Sequence, residues 1–132
     1  MILLDTHALI WLDQGAEQLG RRARAAIEAA YRQEEVAIAT ISFWEVGRWL
    51  DQERLLFEGE LQSWRVSLLN NGFSEIAADG AVALTAAGLK NFDGDTVDRL
   101  IAATAMTEKA RLVTADTHLL SRRGLRTINA LL

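Results

Sequence analysis

Residues 2–12 read ILLDTHALIWL. Three apolar residues lead to Asp5 and Thr6, and the apolar run then resumes. A carboxylate in so apolar a segment is unfavourable to bury unless something compensates its charge. The pattern predicts a short buried strand over Ile2–Asp5, with Asp5 at its carboxyl end, and a short helix over His7–Leu12. Asp5 alone has a sufficient structural explanation as the N-cap of that helix.

Beyond this stretch, strand and helix patterns alternate. Helical spacing of Leu19, Ala23, Ala26, Ile27, Ala30 and Tyr31 predicts a helix over Gln18–Arg32. VAIATI, Val36–Ile41, is short, apolar and β-branched and predicts a second buried strand, followed by a helix over Ser42–Gln52. Further helices are expected over Leu61–Leu69, Ala81–Leu89 and Val97–Glu108, with a short one over Thr117–Arg123. Strands are expected over Phe73–Ala77, Arg111–Thr114 and Leu125–Asn129. Alternation of this kind implies an α/β fold whose central parallel sheet, of about five strands, is covered by helices on both faces. In such sheets ligands bind beyond the carboxyl ends of the strands.

The chain has 132 residues, half of them hydrophobic and 24% charged, with no cysteine and no proline. That is the size of one domain, residues 1–132, large enough to bury a core without staples. The absence of cysteine excludes disulfides and thiolate metal sites and fits a reducing compartment. MILLDTHALIWL has no basic region ahead of its apolar run, and Asp5 and His7 interrupt it, so neither a signal peptide nor a membrane span is expected; the expected location is the cytoplasm. A net charge of −4 gives no global field to attract nucleic acid. The cations are nevertheless 12 Arg and only 2 Lys; arginine is the better bidentate phosphate ligand, and the clusters Arg21, Arg22, Arg24 and Arg122, Arg123, Arg126 are candidate patches. Coding bias explains that ratio equally well.

Four acidic positions follow the predicted strands or open the helices beside them. Asp5 ends the first strand. Glu45 stands three residues after Ser42 in SFWE, the spacing of a capping box, which would account for it structurally. Asp95 and Asp98 open the clearest helix, in GDTVDRLIAATA, where N-capping and the helix dipole favour acids. Asp116 ends LVTAD and can cap the next helix. Each has a local explanation, but their coincidence does not. In a parallel sheet these positions share one edge, so Asp5, Glu45, Asp98 and Asp116 can converge in one crevice. Four neighbouring carboxylates repel and raise each other's pKa. A hard divalent cation relieves this, and oxygen-only ligands point to Mg2+ or Mn2+ rather than zinc. Carboxylate-held magnesium serves phosphoryl chemistry. Thr114, in the strand before Asp116, is a candidate hydrogen-bond partner for a ligating carboxylate, or simply a β-branched strand residue. His7 and His118 read as surface or cap residues, and no phosphate-binding glycine loop is present.

The succession LLDTHALIWL, ISFWEVGRWL, DRLIAATA and LVTAD resembles the PIN-domain ribonucleases, in particular the VapC-type toxins of bacterial toxin–antitoxin pairs. The resemblance spans nearly the whole chain. It implies a three-layer α/β fold and an acidic quartet, here Asp5, Glu45, Asp98 and Asp116, that binds one or two Mg2+ or Mn2+ ions. It also implies metal-dependent cleavage of RNA phosphodiesters, a cognate antitoxin covering the active-site groove, and a homodimer. Asp95 matches a further aspartate common in the family, and Asp95, Thr114 and Thr6 are expected to support the quartet. The family often reads H-x-D-P-x-D ahead of the third acid. Asp93-Gly94-Asp95-Thr96-Val97-Asp98 stands there instead, without the histidine and proline.

Arg48 and Arg99 are candidate contacts for phosphate or antitoxin, with a structural role as the alternative. Trp44 and Trp49 flank Glu45 on one helix and cannot both face the same way, so one of them is a candidate interface residue. The sequence is compatible with two rival functions. One is a catalytically silent, partner-binding module of the same fold. The other is a haloacid-dehalogenase-like phosphatase with Asp5 as nucleophile, although that family wants an aspartate where His7 stands.

Overall fold

A computed structural model describes residues 1–132. In chain order the elements are β1 (Ile2–Leu4), α1 (Thr6–Gln14), α2 (Arg21–Tyr31), β2 (Val36–Ala39), α3 (Thr40–Asp51), α4 (Leu61–Asn70) and β3 (Ser74–Ile76). They continue with α5 (Gly80–Ala87), α6 (Thr96–Thr107), β4 (Arg111–Thr114), α7 (Thr117–Leu120) and β5 (Thr127–Asn129). The five strands form one sheet in the order β3-β2-β1-β4-β5. Every pairing is parallel, with Leu3 of β1 opposite Ala37 of β2 and Leu112 of β4.

The central position of β1 follows from its sequence. Ile2, Leu3 and Leu4 are all buried. Ile2 and Leu4 pack to one side with Ala8 and Leu9 of α1, Ala23 and Ile27 of α2, and Leu68 of α4. Leu3 packs to the other with Val97, Ile101 and Ala105 of α6 and Leu119 of α7. Alternation along the strand thus loads two separate cores, giving the helix–sheet–helix layers expected. Each fully buried leucine or isoleucine contributes roughly 1.5–3 kcal/mol. The remaining helices extend these layers: Val46 and Trp49 of α3 meet Ile10 of α1, and Val82 and Ala86 of α5 meet Ala103 of α6.

Three local expectations are corrected. VAIATI does not remain extended to Ile41: β2 stops at Ala39, and Thr40 and Ile41 begin α3. Their β-branched side chains carry only a weak preference, which the helix start overrides. Consequently Ser42 and Glu45 do not form a capping box. The N-cap is Ala39, without a side-chain bond, and Ser42 lies buried inside the first turn, where its Oγ accepts a hydrogen bond of 3.0 Å from Thr6 Oγ1. The last strand is also shorter than expected. It begins at Thr127, while Leu125 turns into the second core. No helix is long and apolar enough to cross a membrane.

Candidate active site

In this strand order the chain moves from β1 to one side and returns through α5 and α6 to place β4 on the other. The switch point therefore lies between β1 and β4, where parallel sheets open a crevice. A cavity of about 420 Å³ occupies that edge. Asp5, Glu45, Asp95, Asp98 and Asp116 all line it.

Each acid is held by the local structure that its sequence dictates. Asp5 N–H donates to Val113 O at 3.0 Å, extending the sheet by one residue, and its Oδ1 caps α1 by accepting from Ala8 N–H at 2.8 Å. Asp95 caps α6, and with Asp98 it completes a reciprocal capping box: Asp95 Oδ1 accepts from Asp98 N–H, and Asp98 Oδ2 accepts from Asp95 N–H. This box fixes the helix start with Thr96 in the first helical position, where proline is otherwise favoured. Asp116 Oδ1 caps α7, accepting from His118 N–H and Leu119 N–H. Glu45 alone is not a cap. It reaches the crevice from the second turn of α3, and the Thr6–Ser42 bond ties that helix to α1 beside Asp5.

The electrostatics follow from this crowding. Burial pushes the Asp5 carboxyl up from its usual range; the Thr114 hydroxyl, the Ala8 amide and His7 act against it, and Glu45 adds to the rise. Thr114 Oγ also accepts from Asp116 N–H at 3.1 Å, so one buried hydroxyl serves two acid-bearing segments. Asp98 is pushed up to about 6, first by burial and then by the charges of Asp95, Asp116 and Glu45. A carboxylate destabilised by three others is the situation that a divalent cation relieves. As the side chains stand, no three of them converge closely enough to hold a metal ion. Asp5 is buried, whereas Glu45, Asp98 and Asp116 are half-buried and line the open side of the crevice. The donor set, all oxygen with no cysteine and no histidine cluster, fits Mg2+ or Mn2+.

The other candidates separate clearly. Arg48 lines the crevice and lies over the Trp44 ring, 4.8 Å from its centroid. Arg99 does not line it: its Nη1 donates to Ala86 O and Leu89 O, anchoring the end of α5 to α6. Trp49 is 9% exposed and packs into the core, while Trp44 is 55% exposed. Three polar or aromatic lining residues carried no functional reading from the sequence: His7, Trp11 and Arg54. His7 stacks near Trp49 and Trp11, at centroid distances of 4.6 and 5.8 Å. The four-residue spacing of His7 and Trp11 on α1 was a readable signal that they share a face. Arg54, beyond the end of α3, gave none.

Comparison with known proteins is consistent with this architecture. The PIN domain family model matches residues 2–125. Ribonuclease VapC22 of Mycobacterium tuberculosis is 37% identical over 123 residues, covering 92% of each chain. Among solved structures, a chain of VapBC2 from Rickettsia felis, bound to a DNA fragment from its promoter, superposes with a TM-score of 0.74 at 18% identity, over 98% of both chains. A chain of DNA-bound VapBC from Salmonella typhimurium gives 0.71 at 16% identity over 96% of both.

Proposed function

The chain belongs to the PIN-domain family, and from that premise we propose that it is a metal-dependent endoribonuclease, the toxin of a toxin–antitoxin pair. What carries the reading is that Asp5, Glu45, Asp98 and Asp116 line one crevice at the switch point of a parallel sheet. The ribonuclease name of the relative at 37% identity supports the activity. The fold shared with chains of VapBC complexes supports a protein antitoxin as partner.

Asp5 and Asp98 would be the principal holders of Mg2+ or Mn2+, with Glu45 and Asp116 completing the set directly or through water. A cation held there would supply water activation and stabilisation of charge on the phosphate oxygens. The chain's own residues do the rest. Asp5, immobilised by its cap bond and burial, fixes the position about which the others gather. The half-buried carboxylates of Glu45 and Asp116 accept hydrogen bonds from the attacking water and orient it. Thr114 and the Thr6–Ser42 pair keep the acid-bearing segments in register. Arg48 and Arg54 supply positive charge at the crevice, where a phosphodiester would otherwise meet only carboxylates.

The PIN-domain match removes the phosphatase alternative, and no observation favours a catalytically silent module over an enzyme with all four acids in place. The test is cleavage of structured and unstructured RNA with Mg2+ or Mn2+ and with EDTA, beside Asp5→Asn and Asp98→Asn. Cleavage that needs the metal and both acids is expected. No cleavage by the parent protein overturns the reading, and equal cleavage by parent and variants assigns the activity to a contaminant.

A further inference from the structure

The loop after α5 and the end of α7 enclose a second cavity, of about 350 Å³. Lys90, Arg122 and Arg123 line it against a single acid, Asp93. Three fixed positive charges against one negative leave a local excess of +2 in a chain whose net charge is −4. None of these cations is ion-paired: the molecule's one ion pair joins Arg65 to Glu75. Like charges gathered in a concavity repel, and the arrangement is relieved by an anion from outside.

The cavity is also built into the acidic site. Arg122 is held by a 3.1 Å bond to Asn91 O and lies over the Phe92 ring. Gly94 fits between Phe92 and the first turn of α6: a Cβ there would stand 2.5 Å from Phe92 Cε1 and 2.8 Å from Asp98 Cβ. On the other wall, His118 N–H donates to Asp116 Oδ1. The same two segments therefore supply carboxylates to one cavity and cations to the next.

We propose that the Lys90–Arg122–Arg123 cavity is a phosphate subsite that holds the RNA backbone away from the scissile bond and sets the strand's course across the acidic crevice. The proposal rests on the ribonuclease reading. A crevice lined by five carboxylates repels a polyanion, so the strand must be held by cations placed beside it. Arg48 and Arg54 provide such charge within the crevice, and this cavity provides it next door, across shared walls. A strand cleaved in the crevice passes beside these shared walls in every turnover, which makes the RNA backbone the proposed occupant, with an acidic polypeptide as the alternative outcome of the test.

The test is the double variant Lys90→Ala/Arg123→Ala. Both side chains are exposed and make no hydrogen bond or ion pair, so its melting temperature should match the parent's. Binding of a labelled 12-nucleotide single-stranded RNA is followed in EDTA across a KCl series, and cleavage is measured separately with Mg2+. Affinity at low salt should fall about five- to tenfold, and the plot of log affinity against log salt should flatten by about 0.7 per lost phosphate contact. KM should rise with kcat within about twofold, and the charge-keeping variant Lys90→Arg/Arg123→Lys should restore parental values. Unchanged affinity, salt slope and KM overturn the proposal while leaving the nuclease reading intact. So does an equal defect in the charge-keeping variant. If the alanine variant binds RNA normally but no longer binds poly-glutamate, the cavity belongs to an acidic protein and the proposal fails. No RNA binding and no cleavage by the parent removes both the subsite and the reading beneath it.

Discussion

Replacing Asp98 by asparagine should stabilise the protein in EDTA while abolishing its response to metal. In the folded chain Asp98 titrates near 6 instead of 3.8 because burial and the charges of Asp95, Asp116 and Glu45 disfavour its ionised form. A group whose folded pKa is raised contributes stability at low pH and loses it as pH climbs through the folded value. The difference between 3.8 and about 6 corresponds to about 3 kcal/mol at 1.36 kcal/mol per pH unit. Asp98 is half-exposed, so solvent screening roughly halves that figure, and the favourable dipole of the α6 N-terminus lowers it further, to about 1 kcal/mol. Asparagine removes the charge and keeps an oxygen that can accept from Asp95 N–H, preserving the capping box. In a domain of this size about 1 kcal/mol moves the midpoint by about 4 °C. Thermal unfolding in EDTA should show parent and Asp98→Asn melting together at pH 4, with the variant about 4 °C higher at pH 7.5. Added Mn2+ at pH 7.5 should raise the parent and leave the variant where it was. A variant that melts below the parent at pH 7.5 in EDTA, or a gap that does not change with pH, would refute the mutual repulsion assigned to these acids.

Other substitutions probe the scaffold. Ser42→Ala leaves the buried Thr6 hydroxyl without its partner and should cost about 1–2 kcal/mol in chemical denaturation. Gly94→Ala brings a methyl group against Phe92 and Asp98 Cβ, and should cost about 1–3 kcal/mol and reduce cleavage, read by melting and by RNA turnover. Asp5→Asn should abolish cleavage without lowering stability in EDTA, because the amide oxygen can still cap α1. Asp5→Ala should lose the cap as well, at about 1 kcal/mol in the same denaturation assay.

The sheet and its order of elements were legible because β1, β2 and β4 are short apolar runs with turn residues or charge at their ends, and because the α2 and α6 faces repeat at helical spacing. The strand-end acids were legible for the same reason: each immediately follows, or caps, an element whose limits the hydrophobic pattern defines. The start of α3 was not. Ser42 and Glu45 carry a capping-box spacing, and only the partner across the chain, Thr6, shows that Ser42 belongs to the interior. Arg48 and Arg99 were equivalent in sequence. What separates them is tertiary, since Arg99 meets the carbonyls that end α5 while Arg48 turns into the crevice. The basic cavity was half legible: the cluster of Arg122, Arg123 and Arg126 was a readable candidate patch, but Arg126 lies outside the cavity and Lys90, 33 residues before Arg123, joins it only through the packing of a loop on α7.

Binding of Mn2+ at pH 7.5, followed by titration calorimetry on the parent and on Asp5→Asn, Glu45→Gln, Asp98→Asn and Asp116→Asn, asks whether these four carboxylates share a cation. Saturable binding to the parent, weakened about tenfold or more in every variant, is the expected result. Binding of equal strength in all five proteins would show that the crevice is not where the metal sits.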